Sequence, residues 1–339
     1  MTGYIHTVGG PVPAASLGVT SMHEHLFSDA RVWYSAPPDR CDPVAVTMDN
    51  LGWLRWHIHG SEDNLVLDDP AVTETELYDF AQAGGQTLVD LTPVNLGRRV
   101  SDLPALARRT GVNIVVSTGI YVHDAHPQWV ESADVDAVAD FFLTELRDGI
   151  EGTGIRPAII GEIGTSATIT DREWRVVRAA GAAGAATGTA VNIHLDPFGT
   201  HALSILDVLL SEGMTASRVV FSHMDEHLDL PYHRDVAASG AILEYDTFGA
   251  EFYWGDFHRD ATDQQRLADL TTLIGEGFGE QLVLGCDVWM KINQRHYGGL
   301  GYGHLPRTIM PLLRDHYGVD PETITTMFVK TPASLLTRP

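Results

Sequence analysis

The chain has 339 residues, of which 44% are hydrophobic, and it carries a formal charge of −23 at pH 7. This length and composition predict a folded globular protein with a sizeable core, organised as one domain over residues 1–339. The negative charge repels phosphate backbones and anionic lipids. It therefore argues against nucleic acid or a membrane as partners and makes a small-molecule substrate the default expectation.

Nothing in the sequence predicts a targeting or membrane segment. No run of 18 apolar residues occurs, and the N-terminus has neither a basic nor an apolar signal region. The two cysteines, Cys41 and Cys286, are too few and too far apart for a disulfide framework. We therefore expect a cytoplasmic protein in a reducing compartment.

Eight short apolar or β-branched runs recur along the chain, separated by segments with a helical pattern. The runs cover residues 18–25, 86–92, 113–119, 158–164, 190–196, 218–225, 241–247 and 282–288. Segments 73–85, 135–149 and 170–188 are typical of helices, and the last begins with Thr170 and Asp171 as capping residues. Alternating strands and helices predict a parallel sheet, and eight such units favour an α/β fold of the (β/α)8 TIM barrel type over a doubly wound sheet.

Long loops are expected after strands 1, 7 and 8, on the face of a barrel where active sites form. Residues 26–72 include Trp33, and residues 248–262 include Tyr253 and Trp254. These aromatic residues are candidate substrate contacts in loops that cover the site. Packing of the loops over the barrel rim is the alternative.

Polar residues stand at the ends of five predicted strands. Residues two apart in a strand share a face, so His23 and His25 can both point into the barrel while Glu24 turns away. The other members of this group are Glu162, His194, His223 and Asp287. Four imidazoles and two carboxylates are costly to bury without a cation, so the group predicts two divalent metals. Such a mixed ligand set suits zinc, with manganese, cobalt or iron as alternatives.

A second histidine pair with the same spacing, His57 and His59, lies in a tryptophan-rich loop without a strand pattern. We interpret this pair as loop packing or substrate contact rather than as metal ligands.

Several motifs resemble the phosphotriesterase family of the amidohydrolase superfamily across nearly the whole chain. They are "HEH" at 23–25, "STGIY" at 117–121, "IIGEIGTS" at 159–166, "NIHLD" at 192–196, "FSHMDE" at 221–226, "YDTFG" at 245–249 and "GCDVWMKINQRHYGGLGYGH" at 285–304. The resemblance implies a (β/α)8 barrel with two divalent metals at its C-terminal mouth. It also implies a homodimer, since family members are often dimers.

Carried over by position, the resemblance assigns a ligand role to each member of the polar group. His23, His25 and Asp287 would bind the more buried metal, and His194 and His223 the more exposed one. Glu162 would bridge the two metals, as in the branch called phosphotriesterase homology proteins. The carboxylated lysine that usually bridges the metals in members with phosphotriesterase or quorum-lactone activity is excluded, because no lysine precedes Lys291.

A second departure from the family pattern follows strand 7. Asp246 is followed by Thr247, where phosphotriesterases typically have a histidine and lactonases an arginine. This departure argues against an efficient phosphotriesterase proton relay.

The expected chemistry is hydrolysis by a metal-bridging hydroxide, which two divalent ions can supply at neutral pH. Asp287 is the candidate acid–base residue.

Tyr121 resembles the tyrosine that faces the metals in the family's lactonases and would donate a hydrogen bond to the leaving oxygen. Packing under the first loop is the alternative role of Tyr121. Lys291 would meet a substrate anion or pair with an acidic residue. Since the strand-7 loop offers Glu251 and aromatics before its first basic residue, an unphosphorylated substrate is favoured.

The leading function is a binuclear metal-dependent hydrolase of lactones or carboxylic esters. Amide hydrolysis of N-acyl compounds and slow phosphotriester hydrolysis are the alternatives within enzymes. A non-catalytic, metal-containing ligand-binding barrel is the alternative of a different class.

Overall fold

Eight parallel strands form the central sheet of the protein in a computed structural model, which describes residues 3–37, 45–255 and 257–338. The strands are β1 (Thr20–Glu24), β2 (Thr87–Asp90), β3 (Asn113–Ile120), β4 (Ile159–Gly164), β5 (Val191–His194), β6 (Val219–Ser222), β7 (Ile242–Tyr245) and β8 (Leu282–Leu284). Each strand pairs with its sequence neighbours. The backbone N–H of Asp287, just after β8, donates to the carbonyl of His23 in β1 over 3.1 Å, which brings the two sheet edges together. The predicted (β/α)8 barrel is confirmed.

Helices fill the connections between strands. They are α1 (Leu51–Leu54), α2 (Pro70–Gln82), α3 (Leu103–Thr110), α4 (Val135–Asp148), α5 (Asp171–Thr187), α6 (Ala202–Ser211), α7 (Leu230–Ala238), α8 (Asp263–Gly275), α9 (Pro321–Thr325) and α10 (Thr331–Leu336). The three helices predicted from the sequence are present. Thr170 caps α5 in a reciprocal capping box with Glu173, which satisfies two backbone donors at the helix start.

The core has two apolar layers because successive strand residues point to opposite faces. Leu88 and Ile114 belong to the layer between sheet and helices. Their neighbours Val89 and Val115 belong to the other layer, which also contains Leu17 from the N-terminal segment. This second layer closes the end of the barrel at which the N-terminal segment packs. The polar residues of the strand ends lie at the other end of the barrel, where the strands finish.

The long loops after strands β1, β7 and β8 pack against one another. Leu54 and Ile58 from the first loop share an apolar cluster with Phe252 from the strand-7 loop and with Met290 and Ile292 from the strand-8 loop. The first loop also contains two short paired strands, Ser28–Asp29 and Val66–Leu67. Together the three loops form one layer over the C-terminal end of the barrel.

Of the two cysteines, Cys286 is a buried free thiol, and Cys41 lies outside the described residues. In the part of the chain that the structure describes, no helix combines the length and the apolar character needed to span a bilayer.

Candidate metal centre and adjoining cavity

The six side chains expected to bind metals come together around the carboxylate of Glu162. We call them the ligand cluster: His23, His25, Glu162, His194, His223 and Asp287. Glu162 Oε1 lies 3.1 Å from His194 Nδ1, 3.3 Å from His223 Nε2 and 3.4 Å from His23 Nε2. Its Oε2 lies 3.6 Å from His25 Nε2, and Asp287 Oδ1 lies 3.3 Å from that same nitrogen. One carboxylate thus faces four imidazoles, as a bridging ligand would.

The ring nitrogens that point inward lie close to the Glu162 carboxylate or to one another. His23 Nε2 is buried and has no hydrogen-bond partner among the described residues. His194 Nδ1 and His223 Nε2 face each other at 2.8 Å, a distance at which two lone pairs repel unless a proton or cation lies between them. The donor set therefore fits divalent cations that prefer imidazole and carboxylate ligands.

The outward ring nitrogens are held by partners that fix each tautomer. His23 Nδ1 lies 3.0 Å from Asp246 and 3.2 Å from Glu244. His223 Nδ1 lies 3.1 Å from Asp246, which also accepts the His223 backbone N–H. A ring that donates from Nδ1 to a carboxylate presents the Nε2 lone pair to a metal, which is the usual arrangement around metal-binding histidines.

His25 is oriented by a different chain of hydrogen bonds. Its Nδ1 lies 2.9 Å from Thr92 Oγ1, and the Thr92 hydroxyl donates to Asp90 over 2.6 Å. Because that hydroxyl donates to Asp90, it accepts from His25 Nδ1–H and leaves Nε2 free.

Sequence reasoning did not assign these orienting roles. A signal was present for strand β7, where Glu244 and Asp246 are two residues apart and so share a face. Nothing in the sequence indicated that this face meets His23, which lies 221 residues from Glu244.

Electrostatics in the ligand cluster favour positive charge next to fixed carboxylates. Burial would lower the pKa of His23, but Glu162 and Asp246 outweigh it and hold that pKa well above its usual value. Burial would raise the pKa of Glu162, yet His23, His194 and His223 hold it well below its usual value. The site thus stabilises the ionised Glu162 carboxylate, and positive charge next to it, from protons or metal ions, is favourable.

Glu24 turns away from the ligand cluster, as expected, and positions the segment that carries Asp287. Its carboxylate accepts the backbone N–H groups of Cys286 and Val288, each over 3.0 Å, and the hydroxyl of Ser21 over 2.5 Å. Asp287 lies between these two anchored residues with a φ of 42°, a left-handed value that is uncommon outside glycine. The side chain of Glu24 therefore helps to aim the Asp287 carboxylate inward.

A cavity adjoins the ligand cluster and has an empty volume of about 670 Å³, including its open mouth. Three of the expected substrate contacts line it: Trp33, Tyr121 and Trp254. The Tyr121 hydroxyl accepts a hydrogen bond from Trp33 Nε1 at 3.3 Å and lies 3.5 Å from His194 Nε2. Tyr121 therefore contacts the first loop and also lies beside the ligand cluster, and its hydrogen bond to a leaving oxygen stays a prediction.

The other two expected contacts lie elsewhere. Lys291 Nζ binds Asp63 Oδ1 at 2.6 Å, and Tyr253 stacks on Trp56 with ring centroids 4.0 Å apart. Neither belongs to the cavity lining.

The cavity lining also includes His59 of the second histidine pair, and Glu226 and Trp289, to which the sequence assigned no site role. His59 fits the substrate-contact interpretation of the second histidine pair. Burial lowers its pKa to about 4, so the ring is neutral at pH 7. Burial and the nearby carboxylates of Asp260, Asp287 and Asp246 raise the pKa of Glu226 well above its usual value, although His223 opposes them.

Comparisons with known proteins bear on the family and the fold of the chain. A model of the Phosphotriesterase family matches residues 3–336. An N-acetyltaurine hydrolase of Xenopus tropicalis is 32% identical, with 99% of each chain covered. Among solved structures, a resiniferatoxin-binding protein from Rhodobacter sphaeroides is 31% identical with a TM-score of 0.95, covering 99% of this chain and 95% of that one. A lactonase from Listeria monocytogenes is 27% identical with a TM-score of 0.83, covering 99% of both chains.

Proposed function

The chain belongs to the phosphotriesterase family of hydrolases, and from that premise we propose that it uses two divalent metal ions to hydrolyse carboxylic esters and lactones. The observation that carries the proposal is the convergence of four imidazoles on the carboxylate of Glu162, with His23 Nε2 buried and without a hydrogen bond to any described residue. Zinc is the metal we propose, with manganese, cobalt or iron as alternatives for the same donors.

The ligand cluster divides between two metal positions that share Glu162. His23, His25 and Asp287 would hold the more buried ion, since His23 is fully buried and Asp287 approaches His25 Nε2. His194 and His223 would hold the second ion. The 2.8 Å separation of their ring nitrogens supports this pairing, because a shared cation removes the repulsion between the lone pairs.

When bound, the metals supply a nucleophilic water at neutral pH and a Lewis acid for the carbonyl oxygen of the substrate. Asp287 can accept a proton on its carboxylate and return it to the leaving group. The Tyr121 hydroxyl lines the cavity beside His194. It can donate a hydrogen bond to the leaving oxygen while Trp33 Nε1 donates to it.

The cavity lining supports an unphosphorylated substrate with apolar parts. Trp33, Trp254 and Trp289 line it, and no arginine or lysine is among its described lining residues. Recognition of a phosphate or sulfonate normally relies on such cations. The Listeria relative described as a lactonase supports the lactone part of the proposal.

Hydrolysis of N-acyl amides is the second candidate. The N-acetyltaurine hydrolase of Xenopus tropicalis matches over 99% of this chain, and an amide carbonyl presents the same electrophile to the metals. Since the described lining offers no basic partner for a sulfonate, an amide substrate would carry a different amine part. A non-catalytic role in ligand binding is the contrasting candidate, and the Rhodobacter sphaeroides protein described as resiniferatoxin-binding motivates testing it.

The deciding experiment combines metal analysis with a substrate panel. Purified protein should contain close to two transition-metal ions per chain, and one or none would contradict the two-metal centre. Lactones, aryl esters, N-acyl amino acids and paraoxon should then be compared between wild type, Asp287→Asn and Asp315→Asn. Asp315 is a matched control because it is exposed and pairs with Arg314.

We expect lactones or esters to be the best substrates and Asp287→Asn to lower their kcat/KM at least about 100-fold, a usual size for acid–base catalysis. Equal activity of wild type and Asp287→Asn on every substrate would exclude the ligand cluster as the catalyst. No turnover of any substrate by the metal-loaded protein would favour the ligand-binding candidate.

A further inference from the structure

We propose that the cavity binds a positively charged group of the substrate, such as an ammonium, through Glu226 and the surrounding aromatic side chains. This inference rests on the proposed function, because it narrows the substrate class of that same site. It predicts esters or amides that carry a cationic group rather than an anionic one.

Glu226 is the first observation. It lies after strand β6, where its backbone N–H donates to the carbonyl of His223 over 3.2 Å, and its side chain lines the cavity. No hydrogen bond or ion pair joins its carboxylate to another described residue. A partly buried carboxylate without a partner is costly, so a ligand that brings positive charge or donors would stabilise it.

Other acidic residues near the same strand ends show the contrast. Asp225 pairs with the buried guanidinium of Arg266 at 3.1 Å, and Asp263 lies 2.6 Å from His304 Nε2. Asp260 accepts the indole N–H of Trp254 over 2.9 Å. Glu226 differs from these three because its carboxylate faces the cavity instead of a protein partner.

The aromatic lining is the second, independent observation. The ring of His59 lies 5.2 Å from Trp254, 5.9 Å from Trp289 and 6.3 Å from Trp33, centroid to centroid. The faces of tryptophan rings are the best aromatic partners for an ammonium group. His59 itself brings no competing positive charge, because burial lowers its pKa to about 4.

Charge around the cavity points the same way. Apart from the metals proposed for the ligand cluster, the described lining holds no lysine or arginine that would neutralise Glu226, and Lys291 of the strand-8 loop is held by Asp63. The formal charge of −23 on the whole chain raises the local concentration of cations over that of anions. An ammonium on the substrate would meet Glu226 while the acyl carbonyl lies at the ligand cluster.

The test compares two esters of the same shape, acetylcholine and 3,3-dimethylbutyl acetate, which differ in having a cationic nitrogen or a neutral carbon. In the metal-loaded wild type we expect kcat/KM for acetylcholine to exceed that for the neutral ester about tenfold, the scale of a desolvated cation–π contact with an added carboxylate. In Glu226→Gln we expect the ratio to fall to within about threefold of unity. Because the ratio compares two substrates on one protein sample, loss of metal or of folded protein cancels.

Glu280→Gln is the matched control. Glu280 lies just before strand β8, at the opposite end of the barrel from the cavity, so its variant removes the same charge and should keep the wild-type ratio. A wild-type ratio near unity, or a ratio unchanged in Glu226→Gln, would overturn the proposal.

Failure of the proposed function is distinguishable from failure of this inference. If the metal-loaded protein hydrolyses neither ester, calorimetric binding of choline and of 3,3-dimethylbutanol decides the inference alone. Choline binding that is stronger than that of the neutral alcohol and weakened about tenfold in Glu226→Gln supports the inference. Absence of choline binding to wild type overturns it.

Discussion

The two histidine pairs of this chain share one spacing and have opposite environments. His23 and His25 end strand β1 and face the carboxylates of Glu162 and Asp287. His57 and His59 lie in the long loop that follows, where His57 forms an isolated bridge with Trp254 and His59 lines the cavity. The pKa of His23 is raised well above its usual value by carboxylates, and that of His59 is lowered to about 4 by burial.

The residues around each imidazole, rather than the spacing of the pair in the sequence, therefore determine its pKa and whether it favours a cation. Carboxylates favour a positive charge on His23, whereas burial favours the neutral ring of His59. Strand ends fix the first pair within a rigid sheet. The second pair depends on how the loops after strands β1, β7 and β8 pack together.

The largest expected effect is a difference in metal content between variants of the two histidine pairs. His23→Asn should lose at least one metal ion per chain and lower kcat/KM at least about 100-fold. Loss of an orienting partner of a ligand typically costs about 10–100-fold, and loss of the ligand itself should cost more. His57→Asn, with the same chemical change at the matching place in the second pair, should retain both metals. Elemental analysis and kinetics of the two variants check this, and equal metal loss in both would remove the distinction between the pairs.

A smaller effect tests whether the carboxylates behind the first pair matter. Asp246→Asn weakens the partner of both His23 Nδ1 and His223 Nδ1, so metal affinity should fall about 10–100-fold with the fold intact. Competition with a chelator measures this affinity. Asp269→Asn is the control, because Asp269 holds His233, a buried histidine outside the ligand cluster. Unchanged affinity in Asp246→Asn would show that the sheet alone orients the ligands.

Much of the barrel and of the ligand cluster around His23 and His25 could be predicted from the sequence. Eight apolar runs defined the strands, and polar residues at their ends defined the ligand cluster, because parallel strands finish on one face of a barrel. The run at 282–288 was predicted too long, since β8 ends at Leu284. The N–H groups of Cys286 and Val288 bond to the Glu24 carboxylate instead of a neighbouring strand.

Less could be predicted of the loops and the cavity around His57 and His59, because loop conformations depend on partners distant in sequence. Lys291 meets Asp63, which lies 228 residues away, and no local pattern encodes that contact. Glu226 lines the cavity from the segment after strand β6, which ends at Ser222 and continues through His223 with a φ of 60°. Such features follow from tertiary packing rather than from periodicity.

The pH dependence of stability tests whether His59, in the second pair, is buried as a neutral ring. The folded pKa of His59, about 4, is below the unfolded value of about 6.5. Its contribution to stability is therefore fully present above about pH 6.5 and is lost as pH falls toward 4, by up to about 3 kcal/mol. The free energy of unfolding of His59→Gln should depend less on pH than that of wild type in this window, as urea titrations can measure. Parallel pH profiles would show that His59 is not buried as a neutral ring.

The smallest expected effect concerns Lys291, the loop residue for which the sequence left a substrate contact and an ion pair open. Its ammonium binds Asp63 Oδ1 at 2.6 Å, and the Asp63 side chain is 37% exposed. Partly exposed pairs contribute little, so Lys291→Met should cost about 1 kcal/mol or less of stability. Because Lys291 does not line the cavity, KM for neutral and anionic esters should change less than about twofold, whereas one bound charge is worth far more. A selective rise in KM for the anionic ester would contradict this and show that Lys291 contacts the substrate anion.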